Sequence, residues 1–190
     1  MNIKSTTMTK AERFRRVVIL CGHFMRNLAY HRIGMQHPVG WATAPLKPTA
    51  DFWRTASGNF LDICTLEWCK LLGDPKGLHD WRNVVSDVAG FRKGLLQRLN
   101  MDEAGFEDYR LSMRDYRDTF VAHLDSDRTM NVPDFHMAKS SVEFYHAYVV
   151  ENEAEPGDLR GLPDTAEKLR LGFEQCEKTA RDVYERLTEI

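Results

Sequence analysis

The sequence predicts an all-α bundle of five to six helices, and three observations carry that expectation. Apolar residues recur at steps of three and four through nearly every segment. Proline and glycine gather between those segments rather than inside them. Only residues 128–132 have a pattern that suits extended backbone, too little to build a sheet. With 43% apolar residues, including 10 Phe, 6 Tyr and 4 Trp among 190, one domain over 9–190 has the material for its own core. Residues 1–8 are expected to be a flexible, polar N-terminal stretch.

Thr9 followed by Glu12 has the spacing of a capping box and opens a helix reaching about residue 33. Its Phe14, Val17, Val18, Cys21, Met25 and Leu28 form one apolar stripe. Gly34, Pro38, Gly40, Pro45 and Pro48 end it. A second helix starts near Thr49 or Asp51 and reaches Leu72, with Phe60, Cys64, Trp68 and Leu71 on one face. Gly73, Asp74 and Pro75 stop it, and residues 78–99 read as a short helix followed by a longer one.

Asn100 or Asp102 caps the next helix, whose early Asp102, Glu103 and Glu107 suit its positive end. It is expected to run as one α-helix to about Leu124. Asp125, Ser126, Asp127 and Pro133 separate it from a helix over 134–150. Residues 151–163 form an acidic loop with Pro and Gly, and Asp164 is expected to cap the last helix.

Charge and cysteine usage narrow the class. The 26 basic and 28 acidic residues leave a net charge of −2, which excludes a strongly basic nucleic-acid coat and a charged disordered tail. The 4 cysteines, Cys21, Cys64, Cys69 and Cys176, form no C-x-x-C pair and suit reduced thiols better than a disulfide framework. The apolar run 17–21 is closed by Arg15, Arg16, His23 and Arg26, far short of the ~20 residues of a membrane span. The first ten residues lack the apolar core of a cleavable leader. A cytoplasmic protein with no membrane partner is expected.

Chemistry concentrates on the helix that begins near Asp102. At ~100° per residue, Phe106, Tyr109, Met113, Tyr116, Phe120 and Leu124 form a narrow stripe. Arg110, Arg114 and Arg117 follow one margin of it and His123 the other. An Arg followed by a His with four to six residues between them recurs at Arg16/His23, Arg26/His31, Arg32/His37 and Arg117/His123. Only Arg26 and Arg117 are followed by Asn or Asp, and only Arg117 with Asp118 and His123 borders an aromatic stripe.

The run Arg117, Asp118 and His123 resembles the signature of the HEPN family of small all-helical proteins, in particular its bacterial abortive-infection members. The stretches 59–62 and 68–70 add to the likeness. The resemblance implies a metal-independent endoribonuclease of the toxin or phage-defence type, working on RNA without a cofactor or metal. In that chemistry His123 acts as general base or acid on a ribose 2′-hydroxyl. Arg117 stabilises charge on the phosphate oxygens, and Asp118 orients Arg117 or His123. Arg114 and Arg110 are candidate RNA contacts, and Asn27, Tyr30 and His31 are candidates for lining the same cleft.

Six residues of α-helix would separate Arg117 and His123 by ~9 Å along the axis and ~120° around it. A homodimer in which the stripe packs against its own copy would bring Arg117 of one chain to His123 of the other. An antitoxin or regulatory protein is a further expected partner. The alternatives are a non-catalytic HEPN-like module binding nucleotide, RNA or protein, and a helical metal or small-ligand protein around Glu143 and His146. Glu-x-x-His spacing suits a di-iron bundle, but a second copy of it is absent from the sequence.

Overall fold

A computed structural model describes residues 8–37, 48–122 and 131–186. Among them stand six α-helices and no strand, in agreement with the predicted all-α class: α1 (Lys10–Gln36), α2 (Pro48–Trp68), α3 (Val88–Leu99), α4 (Glu103–Tyr116), α5 (Phe135–Tyr148) and α6 (Ala166–Arg186). None is long and apolar enough to cross a membrane. His123, Leu124, the turn residues Asp125, Ser126 and Asp127, and residues 1–7 lie outside the described residues.

The capping box at Thr9 is complete. Thr9 Oγ1 accepts the Glu12 amide at 3.2 Å, and Glu12 Oε2 accepts the Thr9 amide at 2.8 Å. Asp102 Oδ1 caps α4 by accepting the Gly105 amide at 2.8 Å, and Asn100 ends α3 in the left-handed conformation at φ 51°. The cap of α6 differs from the expectation. Thr165 Oγ1 accepts the Lys168 amide at 3.1 Å, while the Asp164 carboxylate is taken up by the Lys168 ammonium.

Three helices end in π-helical turns: α2 over Cys69–Gly73, α4 over Arg117–Ala122 and α5 over Val149–Glu153. The expected uninterrupted α-helix to residue 124 is thus corrected, for α geometry stops at Tyr116. The first residues of the expected loop 151–163 belong to the π turn of α5. Such widened turns leave no mark in side-chain periodicity, because a single turn changes too few positions.

One hydrophobic cluster draws on all six helices. Phe14, Val17, Cys21, Phe24 and Leu28 of α1 meet Cys64 and Trp68 of α2, Phe91 and Leu95 of α3, and Met113 of α4 there. Val142 and Tyr145 of α5 join them, with Leu169 and Phe173 of α6. Trp81, on a 3₁₀ turn, stacks on Phe91 with ring centres 4.9 Å apart. The cysteines are free, with Cys21, Cys64 and Cys69 buried.

One buried polar pair ties α2 to α5 inside this core. Trp68 Nε1 donates to Ser141 Oγ at 2.9 Å, and Ser141 Oγ donates in turn to Ala138 O at 2.8 Å. Both residues have no exposed surface, so the indole N–H has no water to fall back on. Replacing Ser141 by Ala leaves that donor unsatisfied. We expect Ser141→Ala to lower the unfolding free energy by about 1–3 kcal/mol in urea titrations. A stability equal to wild type would mean that the bond contributes nothing.

Candidate functional site

The ridge of arginines on α4 splits into two kinds of residue. Arg110 is 8% exposed. Its Nη1 donates to Gly73 O at 2.9 Å, and its other guanidinium nitrogens bond the Glu107 carboxylate. It closes the π turn that ends α2, which accounts for its donors without an RNA. One turn on, Cys69 Sγ reaches Met113 O at 3.8 Å, and Tyr109 packs edge-on to Trp68. The end of α2 and α4 therefore lie antiparallel. Arg114 is half-buried, its charge felt by Glu107 and by Cys69.

Arg117 opens the π turn of α4, and its side chain is 22% exposed. Its Nε donates to Asp118 Oδ1 at 2.7 Å, and this bond is the main reason its pKa rises above the ordinary arginine value. Burial pushes the neighbouring Cys69 thiol up to about 11, against the pull of Arg117. Arg117 and Asp118, neighbours in sequence, are thus paired through their side chains. His123 lies outside the described residues, so its distance to Arg117 forms no part of this geometry.

The aromatic stripe is internal. Phe106, Tyr109, Met113 and Tyr116 are buried within the chain, and Tyr116 packs on Phe120 with ring centres 5.7 Å apart. Those four are covered by the chain itself and offer no face to a two-fold copy, whereas Phe120 is half-buried and Leu124 lies outside the described residues. The N-terminal candidates also separate. Asn27 Nδ2 bends back to His23 O at 2.7 Å, and Tyr30 packs on Phe60. Of the three, His31 lines a cavity between the end of α1 and the start of α5.

His31 Nδ1 lies 2.9 Å from Ser57 O. A carbonyl only accepts, so Nδ1 carries the proton and Nε2 keeps its lone pair. Burial lowers the His31 pKa, opposed by the Ser57 bond and the charge of Asp62. Asp62 is itself raised by burial, and burial with the Asp62 charge brings Tyr116 to about 12. The sequence pointed to His31 but not to Asp62, whose role depends on helices packing across 31 residue positions.

Glu143 and His146 do not converge. Glu143 pairs with Lys139 and Arg98, whereas His146 is fully buried with Nε2 bonded to Pro163 O at 2.8 Å. Among the described residues no three His, Cys, Asp or Glu side chains gather as metal ligands would. Compared with family models, curated proteins and solved structures, the chain matches none.

His146 Nδ1 is buried without a partner among the described residues, and burial holds the ring's pKa below its ordinary 6.5 despite the Pro163 bond and Asp164. The unfolded chain therefore takes up this proton first as pH falls, and the native state loses stability from 6.5 downward to the lower native value. His31 and His79 are shifted the same way by burial. The unfolding free energy should fall between pH 7 and pH 5.5, and His146→Gln should flatten that slope. An unchanged slope in the variant would rule out His146 as a contributor.

Proposed function

We propose that this chain is a metal-independent endoribonuclease of the toxin or phage-defence type, acting at the C-terminal end of α4. The observation that carries this reading is the ion pair of Arg117 with Asp118 in the half-buried π turn that leads to His123. A carboxylate that fixes one edge of a guanidinium leaves the other edge aimed and pre-ordered for phosphate oxygens.

In the reaction, His123 takes the proton of a ribose 2′-hydroxyl. The 2′-oxygen attacks the adjacent phosphorus, Arg117 stabilises the charge on the non-bridging oxygens, and the bond to the 5′-oxygen breaks as that oxygen is protonated. The products are a 2′,3′-cyclic phosphate and a 5′-hydroxyl end. Asp118 acts through Arg117 as a positioning residue. Arg114, one turn away, is an RNA contact in this reading, and Arg110 is not, because Gly73 and Glu107 hold it. A homodimer remains part of the proposal, with an interface other than the buried stripe, as does a regulatory or antitoxin partner in the cytoplasm.

One observation favours a second reading. Arg117 already has an anionic partner, so a phosphate must compete with Asp118. That suits a non-catalytic module that binds RNA, nucleotide or protein weakly at this turn. The two readings separate in one assay, cleavage of a mixed RNA pool in EDTA. We expect cutting that survives chelation, leaves cyclic phosphate ends, and falls at least 100-fold in folded Arg117→Ala and His123→Ala chains. RNA binding without cutting would select the module, and full activity in both variants would sink the assignment of these residues.

A further inference from the structure

A groove of about 310 Å³ runs between the middle of α1 and the first half of α6. Val18, Met25, Leu169 and Phe173 give it apolar walls, and Ile19 on its lip is 37% exposed. Gly22 of α1 and Gly172 of α6 also line it. A Cβ at either glycine would meet nothing within 4 Å, so neither is needed for the two helices to pack. Glycine is a poor helix former, and here its missing side chain leaves the groove open.

Three basic residues, His23, Arg26 and Lys168, line this groove and no acidic one does, in a chain whose net charge is −2. The Lys168 ammonium is taken up by Asp164. Arg26 is exposed, and no carboxylate pairs with it among the described residues. Its charge and the Cys176 thiol both act on the Tyr30 hydroxyl, which sets Arg26 at the Cys176 end of the groove. Val18, at the other end, stands ~12 Å back along the axis of α1.

This arrangement suits one class of ligand. A single uncompensated cation at one end answers a single negative charge. The apolar walls beyond it answer a chain without hydrogen-bonding groups, since a polar body would be desolvated against Val18 and Met25 without gaining partners. The ~12 Å run takes an extended chain of about eight to ten carbons, and the volume sits at the small end of the range for small-molecule sites.

We propose that this groove binds a free medium-chain fatty acid as its carboxylate anion. Arg26 pairs with the carboxylate, the chain lies along Gly22 and Gly172, and its methyl end reaches Val18. The site is separate from the Arg117 and His123 chemistry and stands whether or not the chain cuts RNA.

The test is calorimetric titration of the full chain with octanoate, butanoate and octan-1-ol. Octanoate is expected to bind at least tenfold more tightly than butanoate, from about twofold for each added methylene in a half-open groove. It should also bind severalfold more tightly than octan-1-ol, which keeps the chain and lacks the charge. Arg26→Met should remove that preference and leave octan-1-ol unchanged. Gly172→Leu fills the groove without meeting a neighbour at Cβ, so it should keep the fold and weaken octanoate by tenfold or more. Gly22→Leu repeats the measurement from the opposite wall should Gly172→Leu fail to fold. Arg117→Ala should bind octanoate as wild type. No binding of octanoate at ~10 mM, equal affinity for octan-1-ol, or wild-type affinity in a folded leucine variant would overturn the site. Light scattering on the same samples separates another occupant. A dimer that Gly172→Leu breaks, with no octanoate bound, would give the groove to a second copy and overturn the fatty-acid assignment.

Discussion

The bond from Arg110 to the carbonyl of Gly73 fixes where α4 ends and which way its last residues face. The π turn closing α2 leaves backbone carbonyls without helical partners, in a place where water is largely excluded. A buried guanidinium meets that need with directed donors, and Glu107 supplies the compensating charge beside it. Once Arg110 is anchored, Met113 falls against Cys69 and Arg117 lies one further turn along the same ridge. A buried cation that lost its acceptor would cost several kcal/mol, so this register has little freedom to slide.

The same arrangement divides labour among residues that look alike in sequence. Arg110, Arg114 and Arg117 share a ridge, yet their surroundings differ because Gly73 stands opposite the first and open surface lies nearer the last. Asp118 and Glu107 both pair with arginine, one on a residue holding the fold and one on a residue left partly accessible. Proximity to the chain's own carbonyls decides which cation is structural.

Much of the fold was legible from short-range signals. The box of Thr9 with Glu12, the cap at Asp102 and the stop at Gly73, Asp74 and Pro75 act within a turn of their own position, and the structure keeps them. What depended on partners distant in sequence was not legible. Arg110 meets Gly73 across 37 positions, and Trp68 meets Ser141 across 73. The burial of the aromatic stripe follows from where α2 packs, which no pattern within α4 encodes. Of the candidate site, the adjacency of Arg117 and Asp118 could be read ahead, whereas His31 lines a cavity that holds neither of them.

The contact of α1 with α6 also bears on how the chain is made. Ile33 of α1 is covered by Ala180 and Tyr184 of α6, with Tyr30 and Trp53 packed around them. At a synthesis rate of about 5–20 residues per second, some tens of seconds at most separate the emergence of these two helices from the ribosome. Through that interval α1 has α2 to lean on while the face destined for α6 is bare to solvent. A nascent chain of this design exposes an apolar helix face well before residues 166–186 arrive to cover it.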